Sequence, residues 1–376
     1  MFDCRKFLRK AFTIALAATS VLPASAWAAQ LDIREFGARP NDGRDDSAAI
    51  ESALRATRPG DTIRVPAGIY EISRTLSAPS NANLVGDGCG RSILRRSGNS
   101  GQIMLKLDGT RNLDIHGIEF DFNGAPQFYR AIGFRGQGSS DIRISDSCFI
   151  ERNFRGGRGD RWAIELSATA SPSRNLSIIG NTVRGNLQLT AGGGAGIIGA
   201  RITGNRIVDA RSNAIAISTL GNRADFRDIS IARNIIETPT AIGIYVGPDK
   251  PSARGGRFSD ITIADNRVSG FRNRFSYGVF VRAPAEGMSS LSITGNDIDG
   301  RGSAEPIAIR LIDDHGRGTR RFSNVRICSN TARNIGRGIW LQRVFNARVI
   351  GNRMDTQRPL LASDRENADI VTTGRC

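Results

Sequence analysis

The sequence predicts an all-β solenoid, in which short parallel strands stack one coil upon the next. A phrase of two short strands joined at an Asn recurs along the chain, and a second short strand recurs between its copies. In both repeats apolar residues alternate with polar ones, which is the period of a strand and not of a helix. Intact phrases at variable spacing are typical of coils that differ only in loop length.

The first repeated phrase reads LSITGNDI at 291–298, and its Asn recurs at intervals of 22 to 34 residues. Weaker copies begin near Leu113 and Asp141. Each phrase is too short to bury its own apolar side, so stacking on the next coil, about 4.8 Å away, completes a shared core. An Asn at a bend can tolerate the left-handed backbone region, and its side-chain amide can hydrogen-bond to the same Asn above and below. This column is therefore predicted to be structural: Asn181, Asn205, Asn234, Asn266, Asn296, Asn330 and Asn352.

The second repeated strand matters more for function. Its copies lie at 131–135, 163–167, 196–200, 214–218, 241–245, 278–282, 308–312 and 338–342. The second and fourth positions are nearly always apolar and should point inward, so the third and fifth should form two outward columns. Those columns carry side chains that are unusual for an ordinary solvated sheet: Glu165, Tyr245, Phe280, Arg282, Arg310, Trp340 and Gln342.

The composition is basic and dominated by Arg. Only four of the 52 basic residues in this 376-residue chain are Lys, and the net charge is +16. A guanidinium pairs with carboxylate or phosphate through two parallel hydrogen bonds, so the excess suggests an anionic partner. A codon preference for Arg would explain the ratio of Arg to Lys, but it would not explain the excess of basic over acidic residues.

The N-terminal segment 1–28 is predicted to be a secretory signal peptide. Four cations between Arg5 and Lys10 precede an apolar run at 11–22, and the small residues at 24–28 offer cleavage sites. Removal of this segment takes +3 from the net charge and leaves one domain at 29–376. No later apolar run is long enough to span a bilayer, so we expect a periplasmic or extracellular protein.

The remaining cysteines are Cys89, Cys148, Cys328 and Cys376. An oxidising compartment permits disulfides, and a bridge between Cys328 and Cys376 would pin the last coil. No Cys or His spacing matches a zinc site, and the chain has only His116 and His315.

Residues 29–72 are predicted to cap the N-terminal end of the solenoid. Asp45, Asp46 and Ser47 offer N-cap oxygens to a helix whose apolar positions include Ile50 and Leu54. Strands are expected at 61–65 and 69–72. A solenoid needs a terminal cover because an exposed end would pair with other chains.

Several segments of this region carry a family signature. They are Phe36-Gly37-Ala38, Asn41-Asp42-Gly43, Asp45-Asp46-Ser47-Ala48-Ala49-Ile50, Val65-Pro66-Ala67-Gly68-Ile69-Tyr70 and Leu84-Val85-Gly86-Asp87-Gly88. They resemble the N-terminal signature of pectate-lyase-like right-handed parallel β-helix proteins, a superfamily of lyases, polygalacturonase-related hydrolases, epimerases and phage tailspikes. The resemblance implies this fold with an N-terminal capping helix, and it leaves the activity open because one fold hosts many reactions.

The motifs of individual activities are missing. Asn330-Thr331-Ala332 stands where polygalacturonase-type hydrolases have Asn-Thr-Asp, and Asp313-Asp314-His315-Gly316 run together without a separate Gly-His-Gly. The Asp-Pro-His of mannuronan epimerases is absent as well.

The resemblance implies that the repeated strands form a substrate groove, which coincides with the outward columns. We expect Tyr245, Phe280, Trp340 and Gln342 to bind substrate. The candidate catalytic residues are Arg282, Arg310, Asp313, Asp314 and His315. Family lyases use an Arg or Lys base, often with calcium held by acidic residues, and His315 is the conventional alternative base. Glu165 stands alone as a carboxylate, and His116 is interpreted as structural.

The leading hypothesis is an exported, monomeric lyase that cleaves an anionic, uronate-containing polysaccharide by β-elimination. We expect no nucleic acid partner, no membrane span and no assigned metal ligands, and calcium remains an open cofactor. The alternatives are hydrolysis by the Asp313/Asp314 pair, epimerisation, and glycan binding without catalysis. In the plainest interpretation, 313–317 is a polar turn, Arg282 and Arg310 are solvated sheet residues, and the C-terminal tail covers Trp340.

Overall fold

The computed structural model describes residues 28–98, 103–124, 130–152, 162–221, 223–249, 256–315, 320–362 and 367–376. The predicted signal peptide therefore lies outside the described residues, except for Ala28. Three long parallel sheets run the length of the molecule, and successive coils add strands to them in turn. This is the predicted right-handed parallel β-helix with an N-terminal helix. No helix among the described residues is long and apolar enough to cross a membrane.

Within the described residues, sheet A contains 13 strands and includes the first half of each Asn phrase. Its strands are Gln30–Asp32, Thr62–Val65, Ala82–Gly86, Arg111–His116, Ser140–Ser145, Ser173–Ile179, Gly196–Thr203, Asp225–Ala232, Phe258–Ala264, Met288–Thr294, Phe322–Cys328, Phe345–Ile350 and Ala368–Val371.

Sheet B has 11 short strands in the described part of the chain, and most of them are the second half of the Asn phrase. They are Gly68–Ile72, Ser92–Arg96, Glu119–Asp121, Cys148–Ile150, Thr182–Arg184, Arg206–Val208, Ile235–Glu237, Arg267–Ser269, Asp297–Asp299, Thr331–Arg333 and Arg353–Met354.

Sheet C is built from the second repeated strand, and 11 of its strands fall in the ranges that the structure describes. They are Leu76–Ser77, Ile103–Lys106, Arg130–Gly136, Trp162–Ala168, Asn186–Ala191, Asn213–Thr219, Ile242–Pro248, Phe275–Arg282, Glu305–Ile312, Arg337–Gln342 and Leu360–Ala362.

Two details of the repeated strand were predicted wrongly. The copy at 196–200 belongs to sheet A, where Ile197 pairs with Phe226, and Asn186–Ala191 takes its place in sheet C. The copy at 241–245 is offset by two residues, because Ile244 pairs with Val279 and Tyr245 with Phe280. Alternating apolar residues do not show which of several similar strands lines which wall.

The N-terminal cap forms as predicted, with one correction. A 3-10 helix at Ile33–Phe36 precedes the α-helix Ser47–Ala56, and Ile50, Ala53 and Leu54 on the α-helix are buried. Asp46 is the N-cap residue, yet its side chain makes no capping bond. Its carboxylate instead accepts the backbone N–H groups of Arg39 and Glu71, so it ties the cap to the first coil.

The Asn column is a buried hydrogen-bonded ladder, as predicted. The Nδ2 of Asn181 donates to Oδ1 of Asn205, and the same bond repeats at 2.8–3.0 Å through to Asn352. Each shared Oδ1 also accepts the backbone N–H of the preceding Asn. The ladder therefore satisfies polar groups that would otherwise be orphaned in the core.

The left-handed backbone residue is not the Asn itself, although Asn tolerates that conformation. It is the residue immediately before it, with φ between 53° and 67°: Gly180, Gly204, Arg233, Asp265, Gly295, Ser329 and Gly351. The Asn side chain is thereby free to point inward, while the preceding residue makes the bend.

Two disulfides close the ends of the described solenoid. Cys328 and Cys376 are bridged with Cα atoms 6.2 Å apart, as the sequence suggested, and the bridge anchors the C-terminal segment. Cys89 and Cys148 form the second bridge, with Cα atoms 5.6 Å apart.

Candidate functional site

The outward third position of the repeated strand forms a straight line of side chains on sheet C, which we call the central column. Its register runs through neighbouring strands without a break: Lys106, Gly133, Glu165, Gln188, Ala216, Tyr245, Phe280, Arg310, Trp340 and Leu361. The flanking inward residues, such as Val279 and Leu311, are fully buried. The predicted outward columns therefore exist, and they bring together residues that are far apart in the sequence.

Tyr245 and Phe280 lie beneath the other site residues as an apolar floor. With Ala216 and Ile312 they form a small hydrophobic cluster on the outside of the sheet, separate from the core. Tyr245 is 6% exposed and Phe280 is 9% exposed, so neither offers an open ring to a sugar. The Tyr245 hydroxyl donates to the carbonyl oxygen of Pro248, and burial raises the pKa of Tyr245 to about 12.

Arg310 is the cation at the centre of the site. Its Nη1 donates to the hydroxyl of Tyr277 at 3.1 Å and its Nη2 donates to Oε1 of Gln342 at 3.5 Å. Its guanidinium carbon lies 4.1 Å from the centre of the Trp340 ring and 5.5 Å from that of Phe280. Such stacking on aromatic faces favours a cation.

The charge of Arg310 is not balanced by a neighbouring carboxylate. Among the residues that the structure describes, none makes an ion pair with it, and its Nε is buried without a hydrogen-bond partner. A partly buried guanidinium without a carboxylate partner is electrostatically prepared for an anion. Arg337 lies over the same Trp340 ring, at 4.8 Å, and likewise has no carboxylate partner within the described ranges.

Arg282 is placed beside this cation but differs from it in its pairing. Its Nε lies 3.1 Å from Oδ2 of Asp314, and both side chains are less than one-fifth exposed. The guanidinium carbon also lies 5.4 Å from the Phe280 ring centre. Asp314 therefore compensates the charge of Arg282, and Arg310 remains the more available cation.

Asp313 and His315 are held by the protein itself. Asp313 is fully buried, accepts the backbone N–H of His315 at 3.1 Å and lies 3.7 Å from the guanidinium of Arg321. The Nε2 of His315 donates to the carbonyl oxygen of Ala283 at 3.0 Å. The proton on this ring is thereby placed on Nε2, and only Nδ1 is left to accept a proton.

The described residues do not fit a calcium site. No group of three or more acidic, His or Cys side chains stands close enough together to hold a metal ion in that part of the chain. Both acidic candidates already face a guanidinium: Asp313 faces Arg321, and Asp314 faces Arg282. Calcium requires six to eight oxygen ligands, which these two paired carboxylates do not supply.

Glu165 lies in the same column but is not the lone carboxylate that the sequence suggested. It is 2% exposed and accepts a hydrogen bond from Arg130 Nε, while Arg135 lies 3.7 Å away. Ser167 donates to it at 3.2 Å and is itself bonded to Thr190. Burial, followed by the charge of Arg135, lowers the pKa of Arg130 to about 10.

Sequence reasoning missed Tyr277 and Arg337. Both lie in the strands that carry Phe280 and Trp340, but each comes just before the five-residue repeat. The Tyr277 hydroxyl nevertheless accepts a hydrogen bond from Arg310. A search for aromatic or basic residues directly before the five-residue repeat would have found both from the sequence.

The fold defines a parallel β-helix protein, and its sheet C carries a face of arginine and aromatic side chains. The chain belongs to the rhamnogalacturonase A/epimerase, pectate lyase-like family, whose model matches residues 30–247. The match ends before Phe280, Arg310 and Trp340, so the family model does not extend to the centre of the candidate site. No curated protein matches the chain.

Solved structures with the same fold have diverse titles. The chain is similar to the A-module of mannuronan C-5 epimerase AlgE4 from Azotobacter vinelandii, with 17% identity, a TM-score of 0.50 and coverage of 92% of this chain and 100% of that one. It is similar to the DFA-IIIase of Arthrobacter chlorophenolicus A6, with 13% identity, a TM-score of 0.54 and coverage of 92% of this chain and 91% of that one. It is also similar to the surface protein and adhesin PfbA of Streptococcus pneumoniae, with 14% identity, a TM-score of 0.51 and coverage of 91% of this chain and 99% of that one. At such identities the likeness concerns the fold alone.

Proposed function

We propose that the chain is an exported enzyme that binds an acidic polysaccharide across sheet C and cleaves it by β-elimination. The observation that carries this proposal is Arg310, a partly buried guanidinium that has no carboxylate partner among the described residues. A uronate carboxylate would supply the missing anion through charge-assisted hydrogen bonds. Export rests on the predicted signal peptide at 1–28.

Elimination makes three demands on the site. The uronate carboxylate must be neutralised, so that the adjacent C5 proton becomes acidic. A base then removes that proton, the electron pair forms the C4=C5 double bond, and the C4–O bond breaks. The leaving oxygen finally takes up a proton. Arg310 meets the first demand, and charge that develops on the carboxylate in the transition state would strengthen its hold.

Tyr277 is our candidate for both proton transfers: as the phenolate it would take the C5 proton, and the phenol so formed would give that proton to the leaving oxygen. Its hydroxyl lies 3.1 Å from Nη1 of Arg310, so a sugar whose carboxylate is held by Arg310 would lie beside it. The alternatives are more constrained, since Arg282 is paired with Asp314 and the His315 Nε2 proton is bound to Ala283. Asp313 is fully buried, which disfavours the pair of carboxylates that hydrolysis would need.

The experiment incubates the mature protein with pectate, alginate and glucuronate-containing exopolysaccharides and measures ultraviolet-absorbing unsaturated ends. We expect such ends from at least one polymer, and Tyr277→Phe should lower kcat by about 10²–10⁴-fold. Tyr70→Phe is the matched control, because the Tyr70 hydroxyl is buried in the first coils without a hydrogen-bond partner there. New reducing ends without unsaturation would instead indicate hydrolysis, and a changed sugar ratio without scission would indicate epimerisation.

A second candidate function is glycan binding without turnover. The observation that favours it is that Asp313, Asp314 and His315 all make contacts within the protein. It predicts salt-sensitive retention on an immobilised polyuronate, because exposed ion pairs weaken as salt rises, and no product of any kind.

A further inference from the structure

The last coils of the solenoid are rich in arginine. From the strand Phe322–Cys328 to the last residue, the sequence has nine arginines, no lysine and four acidic residues. Two of these arginines, Arg326 and Arg348, lie on the outer face of sheet A, which is a different wall from the candidate site on sheet C. This wall takes no part in the proposed function.

Arg326 and Arg348 face each other across adjacent strands. They are paired in register, which places their Cα atoms about 4.8 Å apart, and both side chains are exposed. Among the residues that the structure describes, neither makes an ion pair, and Asp369 on the last strand of sheet A pairs with neither of them. Like charges directly opposite each other on a sheet repel, so an external anion would stabilise this pair.

Other arginines in the same outward column of sheet A are compensated. Arg201 pairs with Asp228 at 2.8 Å, and Arg143 lies 3.8 Å from Asp114. The register of sheet A runs without a break from these residues to Arg326. The lack of a carboxylate partner is therefore a property of the C-terminal end of the column and not of the column as a whole.

The C-terminal segment brings a third arginine to this wall. The Nη1 of Arg348 donates to the carbonyl oxygen of Arg375 at 3.5 Å, and the disulfide between Cys328 and Cys376 fixes the segment in place. Arg375 is exposed and has no ion-pair partner within the described ranges. The disulfide therefore holds the backbone of another cationic residue beside the pair.

An exposed apolar side chain continues the same column. Val371 lies opposite Arg348 on the last strand and is 45% exposed, which is unusual for a large apolar side chain in the described chain. A phospholipid surface offers anionic headgroups to arginines and an acyl boundary to an apolar side chain. The two features together suit such a surface better than they suit a hydrated polysaccharide.

The wall around these arginines is built from small side chains. Ser292 lies opposite Arg326, and Thr262 follows it in the same column. The long arginine side chains therefore extend above a flat wall, unlike Arg310, whose guanidinium lies against the Trp340 ring. A flat cationic wall fits a planar anionic surface, whereas cations among aromatic rings fit a single sugar chain.

We propose that Arg326, Arg348 and Val371 form a docking surface for an anionic phospholipid membrane. Sheet A would then lie against the headgroups, and sheet C, on another wall of the solenoid, would remain open to its polymer. This inference goes beyond the proposed function and does not depend on the reaction at sheet C.

The experiment measures how much of the mature protein, residues 29–376, sediments with vesicles of equal parts phosphatidylglycerol and phosphatidylcholine, or of phosphatidylcholine alone. We expect binding only to the anionic vesicles, and it should weaken as salt rises. Arg326→Gln and Arg348→Gln should each lower the partition coefficient about fivefold, since a basic residue near an anionic surface contributes about that factor. Arg201→Gln is the matched control, because it removes an exposed arginine of the same column that Asp228 already compensates.

Val371→Ser tests the apolar part of the surface and should lower the partition coefficient about threefold. Thermal melts check that every variant is folded. Neither Arg326→Gln nor Arg348→Gln should lower the Tm, because each removes one of two like charges that repel.

Three outcomes would overturn the docking surface. The first is that the mature protein does not bind the anionic vesicles, and the second is that Arg201→Gln weakens binding as much as Arg348→Gln does. The third is that Arg348→Gln weakens binding to a soluble polyuronate as much as binding to vesicles, because the patch would then belong to the polymer site. The affinity of the wild type for polyuronate tests the proposed function separately, so the two proposals can fail independently.

Discussion

Glu165 and Arg310 occupy the same column of the same sheet, five strands and roughly 24 Å apart, yet they face opposite electrostatic situations. Glu165 is buried and compensated by Arg130, with Arg135 and Ser167 close by. Arg310 is surrounded by a phenol, an amide and aromatic rings, and no described carboxylate compensates it.

The comparison shows that position in the fold does not decide function along this column. Both side chains are outward residues at the same point of the repeat. The difference lies in the neighbours that adjacent coils supply, because these determine whether a charge is neutralised internally. The Glu165 region is expected to contribute to stability, and the Arg310 region is expected to bind ligand.

The largest effect is expected from Glu165→Gln. Removing one partner of a buried ion pair leaves the other charge uncompensated, which typically costs about 3–5 kcal/mol. The free energy of unfolding, measured by urea denaturation, should fall by about that amount while affinity for a polyuronate stays the same. A loss of affinity in a stably folded variant would contradict the assignment of this region to stability.

Arg310→Gln should behave in the opposite way. Loss of charge-assisted hydrogen bonds to a carboxylate costs about 2–3 kcal/mol, or roughly 30- to 160-fold in affinity and in kcat/KM. Stability should change little, because the variant removes a cation that no described carboxylate compensates. Arg310→Lys keeps the charge without the planar fork, so it should recover only part of the binding. Isothermal titration and denaturation of the same samples would test both halves of this expectation.

Tyr245→Phe tests the floor beneath Arg310 through its pH dependence. Because burial raises the pKa of Tyr245 to about 12, the folded state keeps its proton after the unfolded chain has lost it, near pH 10. The stability that this group contributes is complete below pH 10 and is lost as the pH rises toward 12. The wild type should therefore lose stability between pH 10 and 12, and the variant should lose less.

Burial also raises the pKa of Tyr70 to about 12. Because Tyr70 is still present in Tyr245→Phe, that variant should still lose some stability between pH 10 and 12. At neutral pH the missing bond to Pro248 should cost Tyr245→Phe about 1 kcal/mol. If stability fell with pH equally in the wild type and the variant, Tyr245 would have the same pKa in the folded and unfolded states.

The smallest effect is expected from Arg201→Gln, on the outer face of sheet A. Arg201 pairs with Asp228 at 2.8 Å, but both side chains are close to half exposed, so water and salt screen the pair. The free energy of unfolding should change by less than about 0.5 kcal/mol, and binding should not change. A larger loss would mean that the contrast between buried and exposed arginines is overstated.

Particular residues show how far the sequence could be interpreted. The Asn ladder was predictable because a repeated polar residue among apolar strands must find its partners within the repeat, as Asn205 and Asn234 do. The side of the bend that carries the left-handed residue was not predictable, because Gly180 and Asn181 are both compatible with that conformation. The offset of Tyr245 was missed for a similar reason, since the phrases at 241–245 and 243–247 have the same alternation.

The sequence alone determined the solenoid, because a period-2 pattern repeated once per coil buries its apolar side only by stacking. It also determined that arginines and aromatic residues would share one outer wall. Only the tertiary structure decided which charges are neutralised. Pairs such as Arg130 with Glu165 and Arg282 with Asp314 join residues 35 and 32 positions apart. Electrostatic energies depend on distances of a few ångströms between coils, and the sequence does not specify distances on that scale.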